Sequence, residues 1–261
     1  MAESIYQIMQ VSSWMIGGVL LVWLSSGGVI LFSFALYGLA TIAFFFLQTI
    51  ETSNREQEKT SLFTQITEGF SILIHHVLLR KFLLINALES VASAVWISSI
   101  LLVYAVEAIG KDGAWWGLIN AAFFAGLICI SVLMYRFDRF VEAKRRTIVL
   151  TGAAITVIAT FLFGFTTNAA IALISSFLVG VGTQLKGIPL VTMFQQTAPK
   201  EKLPLLYAAE GTIGTALFGI ASLAFGLMAD KYGVASVFLL SAGCLVGVWL
   251  LCALLLHTQR K

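Results

Sequence analysis

Few side chains in this sequence can do chemistry away from water, and Glu89 is the first of them. It lies eight residues past Lys81 in an otherwise apolar stretch. On a helix rising about 1.5 Å per residue, that places it about 12 Å along the axis. This depth approaches the middle of a hydrocarbon core about 30 Å thick. Ionisable groups inside spans are costly and default to a functional reading. A carboxyl group there can take up a proton from one side of a membrane and release it to the other. Asn86 lies one turn earlier on the same helical face, and Trp96 two turns beyond. Gln184 and Lys186 sit towards the inner end of a later apolar block, and Glu210 lies about two turns into the next one. The Gln184 amide offers hydrogen bonds to a bound molecule, while Lys186 is expected to snorkel to the inner headgroups. Glu210 is expected to pair with a basic residue in a gate or to face the inner water. Asp138 with Arg139, and Asp230 with Lys231, read as loop charges that brace one conformation. Solvated turn residues are the alternative for both pairs.

Other chemistries find no support. The sequence holds no phosphate-binding Walker loop, no H-E-x-x-H and no nucleophile elbow, so no enzyme constellation emerges. Cys129, Cys244 and Cys252 are single and embedded in apolar text, without CxxC or metal spacing. His75 and His76 are adjacent and point about 100° apart on a helix, which is wrong for a shared ligand. No metal site and no cofactor is therefore expected. A nucleic-acid partner would need basic residues clustered on one folded surface, whereas here the net charge of +3 comes from cations in the loops between apolar blocks and reads as a topology signal.

The elements that position these residues follow from composition. Hydrophobic residues make up 59% of the 261 and charged residues 11%. Soluble domains carry about 25% charged residues. Eight apolar blocks are long enough to span, at roughly 8–25, 29–50, 81–106, 113–135, 147–166, 168–190, 204–228 and 234–256. The fold class is an all-α integral membrane protein with about eight transmembrane helices. Ser25-Ser26-Gly27-Gly28 and Thr166-Thr167-Asn168 read as tight hairpins. Fourteen of the sixteen Lys and Arg residues fall on one side of these blocks, and only Lys111 and Lys231 on the other. By the positive-inside rule the rich side is cytoplasmic, with both termini on it. The expected location is the cell membrane, with the lipid bilayer as the first partner.

Residues 1–50 form a first helix pair, 51–80 a cytoplasmic linker with an amphipathic helix, and 81–261 a six-helix bundle. Residues 51–60 are a long polar run. The stretch 61–79 has a helical period, with Phe63, Ile66, Phe70, Leu73, Ile74, Val77 and Leu78 on one face and Thr60 or Ser61 as cap. It is too mixed to span and is expected to lie on the inner membrane surface. Gly28 and Gly38 of the second block match Gly233 and Gly243 of the eighth at one offset of 205 residues. Parallel repeats of this kind relate the halves of some transporters.

Several local texts resemble the major facilitator superfamily, and most of all its drug-efflux, macrolide-exporter-like branch. Glu68-Gly69-Phe70-Ser71-Ile72-Leu73-Ile74, followed by Leu78-Leu79-Arg80-Lys81, is similar to the approach to that branch's seventh helix. Gln195-Gln196-Thr197-Ala198-Pro199-Lys200-Glu201 resembles the loop before the eleventh helix. Gly226-Leu227-Met228-Ala229-Asp230-Lys231-Tyr232-Gly233 resembles the turn between the last two. Asp138, Arg139 and the basic run to Arg146 resemble the second copy of the family's signature loop, with Met134 and Val141 in place of its glycines. Gly17-Gly18 match the end of the antiporter motif, where Ser13-Trp14 replace its Gly-Pro.

The resemblance implies that the blocks are helices 5–12 of the major facilitator fold, with the first four not in this chain. It makes the blocks carrying Glu89 and Gln184 cavity-lining. It implies a secondary, proton-coupled exporter of a small amphipathic substrate. Glu89, Asn86, Trp96 and Gln184 would serve coupling or substrate contact. Asp138, Arg139, Glu210 and Asp230 would serve gating. The alternative is a truncated, non-transporting remnant, or an accessory membrane subunit whose partner chain supplies the missing helices.

Overall fold

A computed structural model describes residues 26–46, 62–96 and 98–258. The first apolar block, the antiporter-motif residues Gly17-Gly18, the polar run 51–60 and the proposed caps Thr60 and Ser61 lie outside the described residues. The chain divides into two compact units at Thr60 and Ser61. In the first, helix α1 runs from Ser26 to Phe46 and is apolar along its 21 residues. Ser26, Gly27 and Gly28 begin this helix, so the expected hairpin does not extend over them.

The second unit is all helical in its described residues. It opens with α2 (Leu62–His75), and α3 (Val77–Ser93) follows at an angle of 104°. The corner is His76, whose extended backbone leaves the helical path and whose ring nitrogen accepts the Leu79 N–H at 3.3 Å. This side chain caps α3, a role that adjacency to His75 concealed. The buried side of α2 follows the expected face in part, since Leu73 is buried and Phe70 and Leu78 pack against the core. Gly69 and Leu73 are buried and Ile72 joins the core, whereas Ile74 and Val77 are exposed. Gly69 sits against Leu205 and Ala209, so packing on a later helix sets the face that α2 buries.

The block expected at 81–106 is not one continuous helix. It breaks after α3 into a tight turn over Ala94–Trp96, then α4 (Ser98–Val103) and one wide π turn over Tyr104–Ala108. The Ser93 hydroxyl donates to the Ser90 carbonyl at 2.9 Å, a local bond that competes with the helical ladder. Packing fixes the rest. Trp96 lies 4.8 Å from the Phe163 ring and 5.5 Å from Phe238. The Tyr104 hydroxyl is shared between the carbonyls of Phe163 and Thr166.

Five long helices match the remaining blocks: α5 (Ala114–Arg136), α7 (Arg145–Phe165), α8 (Ala169–Thr197), α9 (Leu203–Tyr232) and α10 (Val234–Thr258). Each is long and apolar enough to cross a membrane. A short α6 (Asp138–Ala143) joins α5 to α7. The hairpin between α7 and α8 holds because Asn168 accepts the N–H groups of Ala170 and Ile171. Lys111 and Lys231, the two cations of the sparse side, each sit over an aromatic ring, Trp115 at 5.6 Å and Tyr232 at 5.2 Å.

Helix α8 is the hub. It packs between α5 and α7, while α10 bridges α7 and α3 and α9 lies on α3. Two crossings are glycine contacts. A Cβ on Gly126 would fall 2.1 Å from the Phe177 carbonyl oxygen, and one on Gly180 would fall 2.1 Å from that of Phe123. Gly152 and Gly182 do the same where α7 meets α8. Small residues permit this backbone approach, and dispersion then holds helices that lipid does not drive together. The core splits into two apolar clusters. One gathers Leu79, Phe82, Met193, Leu206 and Val248, the other Tyr104, Phe163, Val237 and Phe238. Glu89 on α3 and Lys186 on α8 fall between the stretches that feed these clusters.

Candidate functional site

Three helices enclose a cavity of about 320 Å³. Helix α3 contributes Phe82, Ile85, Asn86 and Glu89, a single stripe at three- and four-residue spacing. Helix α8 contributes Gly187, Leu190, Val191 and Phe194 at the same spacing, and α9 contributes Tyr207, Glu210 and Gly211. A Cβ on Gly187 or Gly211 would meet nothing within 4 Å, so these glycines leave room in the cavity wall. The lining is mostly apolar and aromatic, and its polar groups are few.

The decisive contact is an ion pair. The Lys186 ammonium donates to Glu89 Oε1 at 2.5 Å. Lys186 is buried, at 1% exposure, while Glu89 keeps 33% of its side chain accessible. The expectation that Lys186 snorkels to the headgroups is thus corrected. The apolar block ends near residue 190, but α8 continues through Pro189 to Thr197. Lys186 therefore lies eleven residues, about 16 Å, inside the helix end, beyond the reach of its side chain. The cations that mark the rich side fall to thirteen against two. Among the described residues, one other ion pair occurs, the exposed Lys202–Glu68 bridge at 2.7 Å.

A buried ammonium is stable only when paired, because desolvation is otherwise uncompensated. Here the pair is asymmetric. The cation is sealed in the bundle and the carboxylate opens to the cavity. Any proton reaching Glu89 through cavity water removes the counter-charge of Lys186.

The other predicted residues divide. Asn86 and Glu210 join Glu89 at the cavity. Asn86 also accepts from the Ser90 hydroxyl at 3.5 Å, facing the close approach of α3 to Gly214 on α9. Gln184 is elsewhere, buried at the α5–α8 contact, where its amide donates to the Ser131 hydroxyl at 2.8 Å. Trp96 belongs to the aromatic cluster with Phe163 and Phe238. Asp138, Arg139 and Asp230 are exposed at helix ends, and Asp138 accepts the Arg139 N–H at 2.6 Å. Phe82, Phe194 and Tyr207 were not singled out from sequence. Their stripe positions relative to Glu89, Lys186 and Glu210 are the signal that points to them.

Residues 1–217 match the profile of the Major Facilitator Superfamily. The chain belongs to that superfamily. It is similar to the uncharacterized MFS-type transporter YfmI of Bacillus subtilis (strain 168), 27% identical over 245 residues. That match covers 94% of this chain and 60% of YfmI. A second relative is the uncharacterized MFS-type transporter YjbB of the same organism, 27% identical over 187 residues, covering 70% of this chain and 46% of that protein. The chain thus spans about 60% of the length of the first of these relatives and less than half of the second. No solved structure matches. Membership of the superfamily, together with five helices long and apolar enough to cross a membrane among the described residues, makes this a multi-pass membrane protein.

Proposed function

We propose that this protein carries out secondary transport of small amphipathic molecules, exporting them across the cell membrane in exchange for protons. The observation that carries the reading is the Glu89–Lys186 pair, sealed on the lysine side and open to the cavity on the glutamate side. In this account a proton on Glu89 releases Lys186 and loosens α3 from α8. Loss of that proton restores the pair. Alternating access then follows from which face of the membrane supplies and receives the proton. The substrate occupies the cavity against Phe82, Phe194 and Tyr207, with Glu210 as a second polar contact. Membership of the drug-efflux branch, with both termini cytoplasmic, agrees with the local texts and with the distribution of cations.

The test uses vesicles carrying the complete protein and a fluorescent amphipathic dye. Glu89→Gln is expected to abolish gradient-driven dye movement while leaving dye-for-dye exchange across the membrane intact. Gradient-driven movement at the wild-type rate in Glu89→Gln overturns the coupling role.

A further inference from the structure

The connection from α5 to α7 holds the densest run of cations in the chain. Arg136, Arg139, Lys144, Arg145 and Arg146 stand against only Asp138 and Glu142. Arg145 is half-buried and donates to Gln196 at 3.2 Å. The other four are exposed, and they form no ion pair among the described residues.

Beside this run lies a cleft of about 430 Å³ with wholly apolar walls. Leu133 and Met134 at the end of α5, Phe137 and Phe140 in the connection, Ile148 on α7 and Leu185 on α8 line it. The charges and the cleft are locked together by sequence, since Arg136 precedes Phe137 and Arg139 precedes Phe140. Phe137 and Phe140 remain 54% and 60% exposed. Two exposed phenylalanines flanked by cations leave an apolar surface uncovered beside the charged run.

We propose that this cleft is a site for one anionic phospholipid of the cation-rich leaflet. An acyl chain enters the apolar slot, and the phosphate is held by the Arg and Lys side chains around it. Two properties select this occupant. The slot offers no polar partner, so whatever fills it is hydrocarbon there. The rim offers a surplus of cations within one turn of the slot, so the same molecule carries negative charge at its end. Basic pockets between membrane helices recognise lipid headgroups through this combination. Apolar burial joined to charge is also the pairing that makes lipid attachment firm. The inference stands apart from the transport reading and does not use the cavity at Glu89.

The experiment places a reporter in the slot wall by Phe137→Trp in the full chain, and its quenching is read as the difference from the parent chain with its six native tryptophans. The protein is reconstituted in phosphatidylcholine vesicles containing phosphatidylglycerol, with bromine on the acyl chains of one lipid at a time. Expected is quenching of the added tryptophan by brominated phosphatidylglycerol at a several-fold lower mole fraction than by brominated phosphatidylcholine. Adding Arg139→Gln, Lys144→Gln and Arg146→Gln together is expected to erase that preference. These three side chains are exposed, and an unchanged helical signal confirms that the bundle remains folded. Equal quenching by both lipids overturns the proposal, as it marks ordinary boundary lipid. Quenching by neither overturns it also, because the slot is then covered by protein. A preference that persists without the three cations overturns the role of the rim.

Discussion

Glu89→Gln strips the Lys186 ammonium of its counter-charge while leaving it buried at 1% exposure. Breaking a buried pair by removing one member costs about 3–5 kcal/mol. Water reaching the third of Glu89 that is accessible relieves part of this, so about 3 kcal/mol of lost stability is expected. Lys186→Met acts differently. It removes the charge that needed a partner, keeps an unbranched apolar chain in the same volume, and leaves a carboxylate that cavity water solvates. Its expected cost is about 1.5 kcal/mol, the scale of one hydrogen bond to a charged group. The double variant retains neither charge. It is expected to cost little more than Lys186→Met alone, which makes the coupling energy about 3 kcal/mol, at the upper end for contacting residues. Reversible unfolding in mixed micelles, followed by helical circular dichroism, measures all four proteins. Costs that add to within about 0.5 kcal/mol would refute the reasoning, because independent sites behave that way.

Other outcomes follow from the same structure. Gly126→Ala drives a methyl into the Phe177 carbonyl and is expected to lose about 3 kcal/mol, the upper range for overpacking, whereas Gly219→Ala meets nothing within 4 Å and is expected to be neutral. Thermal melts in detergent compare the two. Asn168→Ala removes the acceptor for the Ala170 and Ile171 N–H groups, and a loss of about 1 kcal/mol in the same assay is expected. Glu142→Cys and Asp112→Cys sit at opposite ends of α5, so an impermeant thiol reagent applied to intact cells should label Asp112→Cys and spare Glu142→Cys.

The spans were legible because composition alone reports a lipid environment. The blocks at 113–135 and 234–256 and the helices Ala114–Arg136 and Val234–Thr258 differ by two residues or fewer at each end. The break at Ala94–Trp96 was not legible, because it depends on Trp96 meeting Phe163 and Phe238, residues distant in sequence. Hydropathy counts apolar residues without knowing where a side chain finds its packing. Of the candidate site, Glu89, Asn86 and Glu210 could be found because a polar group in an apolar run must be explained. Lys186 was misplaced for a specific reason. The text after Pro189 becomes more polar, so the span looked shorter than α8 is, and a buried lysine looked like a terminal one. Gln184 illustrates the opposite limit. Its amide is satisfied by Ser131 on another helix, a partner that spacing along one chain does not reveal.

The central claim is that Glu89 carries the proton exchanged for the substrate, and direct measurement of proton movement tests it. Proteoliposomes containing the complete protein and a trapped pH-sensitive dye are given a substrate gradient with no imposed pH difference. The account predicts proton movement opposite to the substrate in the wild type, and none in Glu89→Gln even while substrate exchange persists. Proton movement of wild-type size in Glu89→Gln, or substrate flux in the wild type with no proton movement, would contradict it.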